Sequence, residues 1–131
     1  MTMQTCKFTI LTSADGQERT TIKQGEIDFS GEFVLLRYQE EGVFVEVHLQ
    51  KGKATIIRRG DYSLLLPLEQ GKQTEGRLGI AGSDGKIALQ THSIKYVKEG
   101  KVFRLFLRYD LLFSQDEKQK MQLNIRTTLK E

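Results

Sequence analysis

Apolar and polar residues alternate position by position along much of this chain of 131 residues. From Phe103 to Phe113 every odd-numbered residue is apolar, and most of the residues between them are polar or charged. A similar alternation runs from Met121 to Leu129. Successive side chains of a β-strand point to opposite faces, so a period of two predicts strands that each bury one face. The two runs predict an antiparallel hairpin whose apolar side belongs to a core.

Glycine-containing pairs separate the alternating runs, roughly every 8–15 residues, a spacing typical of all-β sandwiches and barrels. Glycine tolerates the positive φ that tight hairpin turns require. The pairs that we assign to turns are Asp15-Gly16, Ser30-Gly31, Glu41-Gly42, Lys51-Gly52, Arg59-Gly60, Gln70-Gly71, Asp84-Gly85 and Glu99-Gly100.

These turns predict about eight to ten sequential strands and at most a short helical turn, within residues 115–122. Closing such a meander into a barrel removes the exposed edges that an open sheet must protect. We therefore predict an all-β fold, a single antiparallel up-and-down barrel that occupies residues 1–131 as one domain. A barrel of about eight strands has an interior that side chains can fill or that can hold one small ligand.

Gly25 interrupts the polar run from Gln17 to Phe29. Ile22 lies at an even position, whereas Ile27 and Phe29 lie at odd ones. One extra residue near Gly25 would place all three apolar side chains on the same face. We therefore expect a bulge or bend at Gly25.

The composition fits a soluble globular domain, because 38% of the residues are apolar and 28% are charged. The formal net charge of +3 is spread along the chain and does not indicate nucleic-acid binding. The single cysteine, Cys6, suits a reducing compartment. We find no secretory signal, and the apolar run 64–68 is too short to cross a bilayer. We expect a cytoplasmic protein without a membrane partner.

Several short motifs follow one another in fixed order over nearly the whole chain. They are Arg58-x-Gly60, Gly71 with Thr74 three residues on, Leu89-x-Thr91, the stretch 21–25 and Tyr38-x-Glu40. In these motifs the chain resembles the YwiB-like family of small bacterial β-barrel proteins, which have a calycin-like architecture similar to that of lipocalins. The resemblance implies a barrel and no particular activity, and the chain departs from the pattern only in loops, at residues 82–85 and around Glu41.

The segment from Arg58 to Tyr62 carries the most distinctive chemistry. Adjacent strand residues face opposite ways, so only one of Arg58 and Arg59 can point into a barrel. An inward arginine needs an anionic partner, because an unpaired buried charge is costly. The resemblance favours Arg58, which would anchor a ligand carboxylate or phosphate beside Tyr62 and Tyr38. The alternatives are an internal salt bridge and an outward surface pair.

Other reactive side chains have structural interpretations. His48 and His92 lack a spacing typical of metal ligands, and we interpret them as surface or strand-edge residues. Cys6 shares a face with Phe8 and Ile10, which predicts a buried thiol. No pair of carboxylates is arranged for acid–base chemistry. We predict no catalytic residue, no metal site, no cofactor and no enzymatic activity.

Two surface features remain open to interpretation. Four arginines near Phe106 suggest a basic stripe for single-stranded nucleic acid, although they read equally well as the solvated face of a sheet, and we do not expect nucleic acid as a partner. The strand with Val34 and Leu36 is apolar on both sides, so a second chain could cover one side and form a homodimer. The four arginines are Arg37, Arg104, Arg108 and Arg126.

The leading functional prediction is a non-catalytic barrel that binds a small, partly apolar or anionic molecule in its interior or mouth. This prediction rests on analogy between folds, and a fold does not determine a function. The alternative is a structural or interaction protein with a filled barrel, which acts through the face of Val34 and Leu36.

Overall fold

The computed structural model describes residues 3–129, apart from the side chain of Glu40. Residues 1, 2, 130 and 131 of the predicted domain lie outside the described part. The strands are β1 (Gln4–Ala14), β2 (Gln17–Ser30), β3 (Phe33–Glu40), β4 (Val43–Gln50), β5 (Lys53–Arg59), β6 (Tyr62–Glu69), β7 (Gln73–Ile80), β8 (Ser83–Glu99), β9 (Val102–Leu112) and β10 (Lys118–Thr128).

Each strand pairs antiparallel with the next one in sequence, and β1 pairs with β10 to close the barrel. At this closure Phe8 lies opposite Thr127, and Ile10 lies opposite Ile125. The predicted all-β closed meander is therefore confirmed, with ten strands. Among the described residues there is no helix with the length and apolar character needed to cross a bilayer.

The core lies inside the barrel, where the apolar residues of the alternating strands meet. Phe8, Leu36 and Val47 are fully buried. The hairpin predicted near the end of the chain contributes Leu107 and Ile125, which are 0% and 1% exposed. The alternation read from the sequence therefore identifies the inward residues within β9 and β10 correctly. It is wrong for Phe113, which follows the end of β9 and is 54% exposed.

Strand β3 is apolar on both faces, but the face expected to contact a partner lies inside the barrel. Val34 and Leu36 lie opposite Leu49 and Val47 of β4 and are 7% and 0% exposed, so they belong to the core. Phe33, at 55% exposure, lies on the outside. The prediction that Val34 and Leu36 form an interaction face is wrong, because that face fills the barrel.

Gly25 does not mark a bulge. The pairing of β2 with β1 is continuous from Gln17 to Ile27, and β2 pairs with β3 without interruption. Ile22 consequently points outward and is 67% exposed. Gly25 instead allows close packing, since a Cβ at this position would lie 2.7 Å from Phe8 Cε2 and 2.9 Å from Tyr38 Cβ.

The bulge lies in β8, where the pairing with β9 shifts between Thr91 and Ser93. His92 is the extra residue, and the inward positions change from odd-numbered Thr91 to even-numbered Ile94. Bulges of this kind redirect a side chain and bend the strand.

The turn between β7 and β8 also differs from the prediction. Ala81 and Gly82 adopt positive φ values of 49° and 83° and form the turn. Asp84 and Gly85 belong to β8 and pair with Gly79 and Leu78. A two-residue hairpin turn of this type needs positive φ at both central positions, and alanine gives no sequence signal for it.

Candidate functional site

A pocket of about 580 Å³ opens at the end of the barrel where the β3–β4 and β5–β6 turns lie. Glu41, Gly42 and Asp61 form part of its rim, whereas Ile56 and Leu66 belong to the buried interior. The pocket therefore extends from the solvent into the barrel. We refer to it as the mouth pocket.

Aromatic side chains pack together at the opposite end of the barrel. The ring centroids of Phe29 and Phe103 lie 5.6 Å apart, and those of Tyr96 and Phe103 lie 6.4 Å apart. A groove of about 720 Å³ lies at this end, next to the turns at Gly31 and Gly52. This groove also reaches buried residues, Val34, Ile94 and Phe103. The mouth pocket is the better candidate for a ligand with an acid group, because Arg58 lines it.

Strand β5 determines which arginine faces the mouth pocket. Ala54 and Ile56 are buried inside the barrel, and Arg58 follows them on the same face with its side chain 17% exposed. Arg59 lies on the other face and is exposed. Arg58 pairs across the sheet with Val45 and Leu64, so apolar residues flank it on both neighbouring strands.

The guanidinium of Arg58 is held by its own hairpin. Its Nη1 donates a hydrogen bond of 2.7 Å to the Tyr62 carbonyl oxygen, and its Nη2 donates one of 3.0 Å to Asp61 Oδ1. The guanidinium carbon also lies 3.5 Å from the centroid of the Tyr62 ring. Arg58 therefore has an ion-pair partner, but this partner is 76% exposed at the rim.

The hydrogen bond from Arg58 lowers the pKa of the Asp61 carboxyl below its ordinary value, although slight desolvation acts in the opposite direction. Asp61 consequently remains ionised at neutral pH. The carboxylate keeps the guanidinium at the rim end of the mouth pocket, where an acid group from the solvent could reach the same donors.

The structure brings Arg58, Tyr38 and Tyr62 to one pocket, as the sequence prediction requires. Tyr38 lies on β3, with its ring centroid 6.0 Å from that of Phe8, and Tyr62 begins β6. The other polar residues of the pocket do not appear among the predicted site residues, and they include Arg19 and Tyr109.

Sequence reasoning missed Arg19 and Tyr109 for different reasons. Arg19 pairs with the inward residue Thr12, whereas a bulge at Gly25 would place Arg19 on the outer face. Tyr109 follows the apolar alternation of β9 and reads as an ordinary core residue. Its phenol is buried, which raises its pKa well above the ordinary value for tyrosine, and the neighbouring Tyr38 adds to this shift.

The other titratable candidates lie away from the mouth pocket. His92 Nε2 lies 2.8 Å from Asp110 Oδ2, and Asp110 has a side chain that is only 8% exposed. His48 is exposed on β4, 3.5 Å from Glu46 Oε1. Cys6 is buried, as predicted. Within residues 3–129, no cluster of three or more His, Cys, Asp or Glu side chains could hold a metal ion.

The predicted basic stripe is assembled only in part. Arg104 and Arg108 lie on β9, and Arg126 lies opposite Arg104 on β10. Arg37 lies instead on β3, opposite Glu46 and Glu26 of the flanking strands. Arg37 therefore does not join the other three arginines, because β3 is on a different side of the barrel.

The fold and the pocket define a class of protein, a closed antiparallel β-barrel of ten strands with a pocket at one end. Within this class, the chain belongs to the family described as Domain of unknown function (DUF1934), which matches residues 5–125. None of the curated proteins that were compared matches the sequence.

One solved structure gives the resemblance to the YwiB-like barrels a structural basis. The chain is similar to the crystal structure of the YwiB protein from Bacillus subtilis, with a TM-score of 0.81 and 14% sequence identity. The likeness covers 98% of this chain and 94% of that one. The resemblance inferred from the sequence is thus confirmed at the level of the fold.

Proposed function

We propose that this protein binds a small, partly apolar molecule with an acid group in the mouth pocket. In this proposal the Arg58 guanidinium pairs with the acid group, and Tyr38, Tyr62 and Tyr109 contact the rest of the ligand. The single observation that carries the proposal is the position of Arg58, an inward arginine with apolar cross-strand neighbours at the wall of a 580 Å³ pocket. Small-molecule sites have volumes of about 300–1,000 Å³ and few polar groups.

The geometry of Arg58 supports an anionic ligand in particular. A guanidinium has five N–H donors in a planar fork, and it binds carboxylates and phosphates in a bidentate manner. The bonds to the Tyr62 carbonyl and to Asp61 fix the orientation of this fork. A ligand acid group can displace the exposed Asp61 carboxylate without leaving the arginine charge unpaired.

The proposal is for binding without catalysis. Arginine and tyrosine side chains provide charge and hydrogen bonds, and the apolar wall contributes contacts with Ile10, Ile56 and Leu64. We include in it the cytoplasmic location, since a single buried thiol suits a reducing compartment. A relationship with the calycins, which bind ligands in similar barrels, stays a prediction.

The alternative is an interaction protein with a filled barrel. The mouth pocket argues against a filled interior, since it reaches the buried residues Ile56 and Leu66. A homodimer stays a prediction that is independent of the ligand. Exposed apolar residues on the outer faces of β3, β4 and β6 support it, namely Phe33, Phe44 and Leu65.

A pair of fluorescent probes tests the proposal. The anionic probe 1-anilinonaphthalene-8-sulfonate and the uncharged N-phenyl-1-naphthylamine share an aromatic body and differ in the acid group. Titration of the wild-type protein with each probe gives two affinities. The wild type should bind both, because the pocket is apolar.

The matched variants are Arg58→Gln and Arg59→Gln, which remove the same charge from the two faces of β5. Loss of a charged hydrogen bond should weaken the anionic probe about tenfold or more in Arg58→Gln. The uncharged probe should bind to both variants as it binds to the wild type. Equal affinity of Arg58→Gln and Arg59→Gln for the anionic probe would refute the role of Arg58.

A further inference from the structure

The outer surface of β8, β9 and β10 carries a cluster of cations that we call the basic face, consisting of Lys95, Arg104, Arg108 and Arg126. Arg104 lies directly opposite Arg126, and Phe106 lies between Lys95 on β8 and Asn124 on β10. Within the described part of the chain, none of the four cations lies within 4.0 Å of a carboxylate. Ion pairs with the described carboxylates therefore do not neutralise the basic face.

The carboxylates of these strands do not balance the four cations. Asp110 is buried and bonded to His92, Asp84 pairs with Arg77 of β7, and Glu99 is the last residue of β8, next to the β8–β9 turn. Like charges directly opposite each other in an antiparallel sheet are destabilising. An anion between the guanidiniums of Arg104 and Arg126 would therefore stabilise this pair, because it would offset their repulsion.

An apolar depression of about 530 Å³ lies within the basic face. Leu11, Val97 and Phe106 contribute to its lining, and Val97 is 44% exposed. Lys95, Arg104 and Arg126 line it as well. The surface therefore offers an aromatic ring and aliphatic side chains next to several positive charges.

We propose that the basic face binds single-stranded nucleic acid, with a base stacked in the depression on Phe106 and with phosphates paired to the surrounding cations. Arg104 and Arg108 lie two residues before and after Phe106 on β9, which places them about 7 Å away on either side. Proteins that bind single strands combine a positive track for the backbone with aromatic side chains for the bases.

Two considerations favour a single strand over other polyanions. A planar base can stack on Phe106 and on a guanidinium plane, whereas acidic side chains have no apolar ring to fill the depression. In a duplex the bases are paired and stacked on each other, so they cannot enter it. The small net charge of the whole chain does not oppose the proposal, because the local field of a surface depends on the four cations that lie together there.

Fluorescence anisotropy with a labelled twelve-nucleotide oligouridylate tests the proposal over a series of salt concentrations. The wild-type affinity should fall linearly with the logarithm of the salt concentration, because each phosphate contact releases counterions. Each lost phosphate contact lowers this slope by about 0.7. The double variant Arg104→Gln/Arg126→Gln loses two such contacts, so its slope should be smaller by about 1.4. Phe106→Ala should weaken binding about tenfold and leave the slope unchanged.

The control is Arg37→Gln/Arg77→Gln, which removes two arginines from β3 and β7 and should bind as the wild type does. The stability of Arg104→Gln/Arg126→Gln should equal or exceed that of the wild type, since a like-charge pair is removed. If the double variant fails to fold, Arg108→Gln and Arg126→Gln provide the same test singly, each with about half the change in slope.

Three results would overturn the proposal. The first is a wild type that does not bind the oligonucleotide at low salt, and the second is an equal loss of affinity in the control variant. The third is a polyglutamate peptide or a DNA duplex that binds as tightly as the single strand, because the basic face would then recognise charge or another class of partner. Arg58→Gln should bind the oligonucleotide as the wild type does, because Arg58 lies in the mouth pocket and not on the basic face, and this keeps the test separate from that of the mouth pocket.

Discussion

Gly25 lies directly opposite Tyr38 in the β2–β3 pairing, and the rings of Phe8 and Tyr38 pack where a side chain on Gly25 would lie. A Cβ there would approach Tyr38 Cβ to 2.9 Å and would also meet the carbonyl oxygen of Arg37. Backbone atoms cannot give way as the tip of a flexible side chain can. This close approach connects the packing of the core to a wall of the mouth pocket.

We expect Gly25→Ala to destabilise the protein by about 1–3 kcal/mol, the usual cost of overpacking a core. The variant should also bind the uncharged naphthylamine probe more weakly, because Tyr38 must move. Urea denaturation gives the free energy of unfolding, and the probe titration gives the affinity.

Gly85→Ala is the control for this prediction. A Cβ at Gly85 would meet only the Leu78 carbonyl oxygen, at 4.0 Å, and Gly85 does not require a positive φ. Its free energy of unfolding should change by about 0.5 kcal/mol or less. If the two alanine variants were equally stable, the close packing described at Gly25 would be contradicted.

The alternation of apolar residues predicts the strands and their inward faces, because a period of two identifies the inward face wherever one face is buried. The closure of the barrel was predicted from the edges that an open meander would expose. It gave the inward residues of β9 and β10 correctly. In β2 the same reasoning failed, because Ile22 is an apolar residue on the outside. One exposed isoleucine was sufficient to suggest a bulge that does not exist.

The real bulge was present in the sequence of β8. Ile87, Leu89 and Thr91 lie at odd positions, and Ile94 and Tyr96 lie at even ones. The inward positions are therefore odd-numbered before His92 and even-numbered after it, and this change is the sequence signal that could have located the bulge. The convergence of Tyr38, Arg58 and Tyr109 could not be read in this way, because it depends on the pairing of strands that are far apart in sequence.

The ion pair between Arg58 and Asp61 gives a prediction about ligand affinity. Asp61 competes with an incoming acid group for the Arg58 donors, so Asp61→Asn should increase the affinity for anilinonaphthalene sulfonate. Because this ion pair is exposed to solvent, the increase should be modest, up to about fivefold.

Glu41→Gln is the matched control for Asp61→Asn, because Glu41 also lines the mouth pocket but forms no ion pair with Arg58 in the described structure. Its effect on the affinity should be smaller. Unchanged binding in Asp61→Asn, or an equal gain in Glu41→Gln, would contradict direct competition at Arg58.

Tyr109 predicts a loss of stability at high pH. Its pKa is raised in the folded state, so above the ordinary tyrosine pKa of about 10 the unfolded chain releases a proton that the folded protein retains. The folded state then binds more protons than the unfolded state, and the free energy of unfolding falls as the pH rises. Below about pH 9 this contribution is absent.

Urea denaturation at pH 9 and pH 11 tests this prediction in the wild type and in Tyr109→Phe. The wild type should lose more stability between the two pH values, because the phenylalanine variant lacks the titrating phenol. An equal loss in both proteins would show that burial of Tyr109 does not contribute to the alkaline instability.

The bulge at His92 yields the last prediction, because it places the imidazole 2.8 Å from the buried Asp110 carboxylate. His92→Ala removes this hydrogen-bond partner and should cost about 1–3 kcal/mol of stability at neutral pH. His48→Ala should cost much less, because His48 is exposed and 3.5 Å from Glu46.

Urea denaturation of His92→Ala, Asp110→Asn and the double variant completes the test. If His92 and Asp110 interact, the double variant should lose less free energy of unfolding than the sum of the losses in the two single variants, since the effects of coupled residues are not additive. Strict additivity would mean that the bulge does not serve to pair these two side chains.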